Sequence, residues 1–367
     1  MLSHRDAPIS TDYTAARDRF RRAAIQAGAA SDSWTLGPVE DDLTIDTARL
    51  GPEDAEGLVF LSSGLHGVEG PLGSAIQSRW LEGNGPRQLP SGVAILMIHA
   101  LNPFGFATGR RFDAENIDLN RNFLQPGEPY QGSPPLYGTL DPLLNPAAPP
   151  GPWDALTFQP RALWTRSRYG MPAVKQAIAG GQYDYPRGLF FGGHGASLTS
   201  RILENHLPAL IEPARRVIHL DVHTGLGPWN TETLLIHAPR SSPTCRRFVE
   251  TFGTDRLSPM DADGVAYQTR GSLGDWCAHR FGVGRCTYDY ACAEFGTYPA
   301  ITVLSALRAE NQAFHFADHN SPARRQAVAR LREAFIPADP SWQRRALEAG
   351  RDLMERAIVH VDPRRSP

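Results

Sequence analysis

The chain has 367 residues, 41% of them hydrophobic, and its 37 basic and 39 acidic side chains leave a formal net charge of −2. That is enough chain to bury a large core in one α/β domain or in two, and the balanced charge gives no electrostatic reason to expect nucleic acid or an anionic membrane as partner. The opening residues lack the apolar centre of a signal peptide and no apolar run is long enough to span a bilayer, so a cytoplasmic location with Cys245, Cys277, Cys286 and Cys292 reduced is the default expectation.

Residues 11–28 read as a capped amphipathic helix, with Ala16, Phe20 and Ala24 on one face and a glycine stop. "GLVFLSSG" (57–64) is a short apolar run ending in small residues, which predicts a buried strand. "GPLGSAIQSRWL" (70–81) then switches to helical spacing through Leu72, Ile76 and Trp80. "GVAILMIHALNP" (92–103) is a second strand ending in an Asn-Pro turn. From about 124 to 197 the chain is rich in Pro, Gly and aromatic residues with little periodicity, and ordered loops around a site are expected there in preference to a disordered linker. "RRVIHLDVHTG" (215–225) and "TETLLIHA" (231–238) are the third and fourth strands, and 300–317, 322–337 and 342–358 read as helices. Apolar strands alternating with helices predict an α/β fold: a single domain over 1–367, with a mixed, mostly parallel central sheet flanked by helices. The loop-rich insertion at 124–197 is then an elaboration that shapes the site.

In open α/β sheets ligands gather at the carboxyl ends of strands. His66 lies just past the first strand, Glu69 opens the following turn, and His223 ends the third strand in "DVHTG". Two imidazoles and a carboxylate suit catalytic zinc with water in the open position. The residues alone also admit satisfied structural histidines, or an acid–base pair without metal. "RRFDAENIDLNRNF" (110–123) packs arginines and asparagines into one connection, where an arginine can stabilise an oxyanion and another, beside an asparagine, can clamp a carboxylate. With Lys175 the only lysine, such anchors fall to arginine. In "TYDYACAEFGTYPA" (287–300) Glu294 sits among small and apolar residues, where burial would raise its pKa and suit it to proton transfer. A helix-start cap is the plainer alternative for it, and Tyr288 and Tyr290 either donate to a substrate or simply pack. "SSG" at 62–64 is no nucleophile elbow, and "HRFGVGRC" (279–286) lacks the strand and helix of a dinucleotide site.

"GLHGVEG", "IDLNRNF", "DVHTG" and "AEFGTY", in that order, resemble the zinc carboxypeptidase superfamily. "HGVEGPLGSAIQ", "HALNPFGFATGRR", "GQYDYPRGLFFGG" and "DVHTGLGPW" are similar to its bacterial M14-like (DUF2817-like) branch near succinylglutamate desuccinylase and aspartoacylase, over roughly residues 10–360. The resemblance implies a zinc carboxypeptidase-like fold holding one Zn2+ per chain. It makes His66, Glu69 and His223 the metal ligands and Asp118 the carboxylate that orients the first histidine. Asn120 and Arg121 become the holders of a substrate carboxylate, Glu294 the general base, and Arg111, chosen over Arg110, the electrophilic arginine. Tyr288 and Tyr290 are only nearby candidates for substrate contact.

The function so implied is a metallocarboxypeptidase that hydrolyses an amide next to a free carboxylate. The alternative is an N-acyl amino acid amidohydrolase, and a metal-binding protein without activity is a distant third. The expected partner is a small peptide or N-acyl amino acid, with no nucleic acid and no membrane.

Overall fold

The structure, a computed structural model, describes residues 9–259, 269–284 and 286–365. Helix α1 (Tyr13–Ala27) begins where the Asp12 side chain accepts from Ala15 N at 2.8 Å and ends at Gly28, whose φ of +73° is the left-handed stop that glycine favours. Ala16, Phe20 and Ala24 are buried along it, as their spacing predicts. Two strands that carry no apolar run follow, β1 (Ala30–Thr35) and β2 (Thr44–Leu50), antiparallel to each other at one margin of the sheet. Then come β3 (Gly57–Ser63), α2 (Gly70–Glu82), β4 (Val93–His99) and the short α3 (Pro103–Thr108), which starts where the Asn102 side chain accepts from Gly105 N.

The middle segment departs from expectation. It carries three helices, α4 (Tyr137–Leu144), α5 (Pro152–Tyr169) and α6 (Met171–Ala179), where loops were anticipated. Pro142 and Pro160 lie inside the first two, and proline is the residue that most strongly argues against helix in a sequence. The loop character is confined to the stretches around and between them, mainly 124–136, 145–151 and 180–197.

Downstream follow α7 (Leu198–Ile211), β5 (Arg216–Thr224), β6 (Glu232–Ile236), α8 (Pro243–Phe252), β7 (Leu257–Pro259), α9 (Leu273–Phe281) and β8 (Thr287–Phe295). Helices α10 (Ala300–Phe316), α11 (Pro322–Phe335) and α12 (Pro340–Val361) complete the chain. Among the described residues the sheet has eight strands in the order β1-β2-β4-β3-β5-β8-β6-β7. The central four, β4-β3-β5-β8, are parallel to their neighbours, whereas β2 joins β4 and β6 joins β8 in antiparallel fashion. The result is a single α/β domain with a mixed sheet.

One face of the sheet, with Val59, Leu61, Ile95, Met97, Ile218 and Leu220, packs on α1, α2 and α12. The other face, with Phe60, Leu96, Ile98 and Val217, packs on α7 and α9. The central strands are covered on both sides, which is why they read as unbroken apolar runs. On the first face Asp289 of β8 accepts from Arg247 Nε (2.7 Å) on α8 and from His360 Nε2 (2.9 Å) on α12, tying both helices to the sheet.

Candidate active site

β3 and β5 lie side by side and parallel, Ser62 opposite Asp221, so both strands end at the same edge of the sheet. Past Ser63 the chain turns at Gly64 (φ +66°) and makes a tight helical turn, Gly67–Glu69, before α2 begins. A side chain on Gly67 is excluded: its Cβ would lie 2.1 Å from the Gly105 carbonyl carbon of α3. Gly67 N and Val68 N donate to the carbonyls of Arg111 (3.2 Å) and Arg110 (2.7 Å), which locks the ligand turn to the arginine segment. The glycines of "LHGVEG" therefore hold His66 and Glu69 over the end of β5.

There the three side chains meet. His66 Nδ1 is 2.9 Å from Glu69 Oε1, His223 Nδ1 is 3.0 Å from Glu69 Oε2, and the two Nδ1 atoms are 3.1 Å apart. A tetrahedral ion with bonds of 2.0–2.1 Å needs ligand atoms about 3.3 Å apart, so the cluster fits a small divalent cation with little movement. Its charge fits as well. Three ionised carboxylates, Glu69, Asp118 and Asp221, meet Arg111 and the two imidazoles, and against burial Asp221 and Glu69 draw His223 well above the ordinary imidazole value, positive charge that a dication would replace. Such a site uncompensated would be costly to bury. Burial works against ionisation of Glu69, yet His66 and His223 hold its carboxyl well below the usual range.

A second group, His223, Cys292 and Glu294, has ligand atoms close enough to hold a metal. Burial, with Glu294 and Asp221 beside it, pushes the Cys292 thiol well up and keeps it protonated, so it is the poorer set.

Around the ligands, Asp118 lies 3.2 Å from His66 Nε2 and accepts from Arg111 Nε at 3.0 Å. Burial opposes its ionisation, but Arg111 and His66 hold its carboxyl well below the ordinary value. Arg111 also donates to Glu69 Oε1 (3.3 Å) and lies 2.7 Å from His66 Nε2. With Nδ1 as ligand, Nε2 carries the proton, and the Arg111 nitrogen becomes a donor facing a donor. A cation held at Nδ1 would therefore require the outer nitrogens of Arg111 to move off the histidine, whereas its Nε bond to Asp118 could stay. Arg110, its neighbour in the chain, pairs instead with Glu310 (2.9 Å) and stacks on Phe314. Glu294 ends β8 in register with His223. It is thus a strand-end residue and no helix cap. Burial first, and Glu69 second, push its carboxyl up to about 7, and its Oε2 has no hydrogen-bond partner among the described residues.

The sequence profile of the family described as a protein of unknown function, DUF2817, matches residues 9–349. The chain belongs to this family. The chain is also similar to solved structures, the first of which shares its fold. Carboxypeptidase A of Helicoverpa armigera is 12% identical with a TM-score of 0.50, over 91% of this chain and 77% of that one. Succinylglutamate desuccinylase of Chromobacterium violaceum is 15% identical with a TM-score of 0.40, over 90% and 75%. A murein-tripeptide amidase of Escherichia coli O157 is 18% identical with a TM-score of 0.40, over 78% and 90%. No curated protein matches.

The remaining predicted residues of this DUF2817 protein are less alike. Asn120 Oδ1 accepts from Leu273 N (3.1 Å). Arg121 is buried, donating from Nε and Nη2 to Ala179 O (3.0 and 2.6 Å) and from Nη1 to Asn120 O (2.7 Å). Of its five N–H bonds, two are left for a carboxylate. The Phe190 ring lies 5.3 Å from the Arg111 guanidinium and 6.0 Å from that of Arg121, with its backbone at φ +59°. Tyr288 and Tyr290 are not brought to the ligands. At about 3.3 Å per residue, Tyr290 lies ~13 Å and Tyr288 ~20 Å down the strand from Glu294. Both are buried, and their rings meet His219 edge-on.

Below the ligands runs a hydrogen-bonded file that no motif announces. Tyr288 OH is 2.9 Å from His219 Nδ1, His219 Nε2 is 2.7 Å from Ser62 Oγ, and Ser62 Oγ is 2.6 Å from Asp221 Oδ1. Asp221 Oδ2 is 2.6 Å from His223 Nε2. Only one polarity satisfies every atom. An ionised Asp221 accepts from Ser62 and from His223 Nε2–H, so Ser62 accepts from His219 Nε2–H and His219 Nδ1 accepts from Tyr288. With Nε2–H given to Asp221, Nδ1 of His223 is the nitrogen turned to Glu69 (3.0 Å), and its lone pair would be the one to meet a cation once the proton that the neighbouring carboxylates favour is displaced. Burial lowers His219 to about 4, which keeps it neutral as this order requires. The signal was present: His219, Asp221 and His223 recur at the strand period of two. Removing Ser62 should weaken metal binding, since partners that orient a ligand contribute about 10–100-fold in affinity. Competition of Ser62→Ala against a chromophoric chelator checks this; wild-type affinity would contradict it.

Proposed function

We propose that this DUF2817 protein is a metal-dependent amidohydrolase that splits an N-acyl amino acid into an acyl carboxylate and a free amino acid. The observation that supports this reading is the convergence of His66, Glu69, His223, Glu294 and Arg111 in one spot where each is at most 8% exposed. So deep a site suits a small substrate that can be engulfed, and a long peptide less well. A carboxypeptidase acting on the last residue of a peptide is the second reading. It is favoured by the fold shared with carboxypeptidase A and would use the same groups.

His66 Nδ1, Glu69 and His223 Nδ1 would hold the cation, and zinc suits two imidazoles with one carboxylate. When bound it supplies Lewis acidity toward the scissile carbonyl and makes water a better nucleophile at neutral pH. Glu294, with its raised pKa and unengaged Oε2, takes a proton from the attacking water. As the C–O bond forms, Arg111 donates to the oxygen on which negative charge gathers. Glu294 then gives its proton to the departing nitrogen, the C–N bond breaks, and the base is ionised again. Arg121 and Asn120 orient the substrate through its carboxylate.

Metal-loaded protein mixed with a pool of N-acyl amino acids and short peptides should release free amino acid from the acyl conjugates, read by mass spectrometry. Converting the substrate's carboxylate to a carboxamide should lower kcat/KM about a hundredfold or more, the effect of losing a buried charge-assisted contact. Loss of single terminal residues from peptides alone would transfer the assignment to the carboxypeptidase reading. Absence of product from both classes would count against both.

A further inference from the structure

Helix α5 of the middle segment holds an apolar face away from the protein. Its inward edge carries Phe158 and Thr165, both buried, and is pinned by a bidentate pair between Asp154 and Arg308 of α10, whose guanidinium also lies 4.9 Å from the Phe158 ring. On the opposite side Trp153 is 78% exposed, Leu156 67%, Leu163 56% and Trp164 63%. At 100° per residue these four, with Pro160, fall within an arc of about 100°. Arg166 borders the arc on one side and Arg161 and Arg168 on the other, all exposed. Asp154 is the helix's only acidic residue, and Arg308 holds it on the inward side.

Two large indoles and two leucines on one solvent-facing stripe exceed what isolated surface residues explain and mark a contact face. Charge decides what it contacts. A two-fold pairing of this face with itself would set each arginine rim against the same rim of the second copy, with no free acidic residue on α5 to meet it. The stripe is also convex, whereas a helix that docks onto a protein normally enters a groove. We infer that α5 docks onto an anionic lipid surface: tryptophans and leucines enter the headgroup boundary and the three arginines reach the phosphates, as in helices that lie in the membrane plane. No described helix is long and apolar enough to cross a membrane, so the contact is peripheral. The near-neutral charge of the whole chain conceals this local excess, and here the inference departs from the sequence expectation of no membrane partner.

The test is flotation of the full-length protein with phosphatidylcholine vesicles, with and without one quarter phosphatidylglycerol, and light scattering of the protein alone. The expected result is at least about tenfold more protein on the anionic vesicles at low salt, falling steeply in 0.5 M salt, as screening of surface charge requires. Trp153→Ala with Trp164→Ala should reduce binding about tenfold or more, and Arg161→Glu, Arg166→Glu and Arg168→Glu together should abolish the preference for anionic lipid. All five side chains are exposed, so an unchanged melting temperature and unchanged hydrolysis of a small soluble substrate certify folding. No partition onto anionic vesicles would overturn the inference. So would a dimer of the wild type that the two tryptophan substitutions convert to monomer, because the face would then belong to a second copy.

Discussion

Replacing Glu294 with glutamine should lower kcat by about 10²–10⁴-fold, the usual contribution of a positioned general base, while leaving one metal ion per chain. The amide preserves shape and volume at the end of β8 but cannot accept the water's proton. Glu294 is opposite His223 in register, yet the geometry gives the tight ligand positions to the two Nδ1 atoms and Glu69. The wild type should also show an acid limb in kcat/KM that the variant lacks. Burial lifts the Glu294 pKa to about 7, and a dication nearby draws it back toward the ordinary carboxylate range. The base works only when ionised, so activity is lost as pH falls through that shifted value and is retained above it. A metal-replete Glu294→Gln enzyme with wild-type turnover would remove the residue from the mechanism.

Glu69→Gln should weaken metal binding by about 10²–10³-fold, because zinc sites of four ligands bind with about 10–16 kcal/mol and each ligand carries a few of those. The loss goes beyond one bond. Glu69 accepts from Thr224 N at 3.0 Å and contacts both imidazoles, so its charge also sets the tautomers that face the cation. Cys292→Ser serves as the control, and binding there should be unchanged. Dialysis against buffered zinc followed by elemental analysis reads both. Equal affinity for Glu69→Gln and wild type, or a loss confined to Cys292→Ser, would place the ion in the other group.

What the sequence revealed and what it hid follow from where polar atoms sit. β3, β4 and β5 are covered on both faces and read as apolar runs. β8 is as central but carries Tyr288, Tyr290, Cys292 and Glu294 on the face that the buried file shares, so its alternation did not look like a core strand. β1 is an exposed edge strand held by pairing, and β2, though mostly buried, carries Thr44, Asp46, Thr47 and Arg49 among its seven residues, so neither presents an apolar run. His66, Glu69 and His223 were legible because metal chemistry demands those types at strand ends. Asp118 and Arg111 entered through the family resemblance. Ser62, Asp221 and His219 escaped because their contact spans 157 residues of chain between β3 and β5 and has no local spacing beyond the period of a strand. The helix α5 was misread for a related reason. Its regular apolar face looks outward, so nothing in the core required it, and its prolines suggested loops.

The most direct measurement is X-ray absorption at the zinc edge of stripped and reconstituted protein, with stoichiometry taken from the same sample. The account predicts one zinc per chain in a shell of nitrogen and oxygen at about 2.0–2.1 Å with no sulfur. A sulfur scatterer at about 2.3 Å, or no bound zinc at all, would contradict the assignment of His66, Glu69 and His223 as the metal centre.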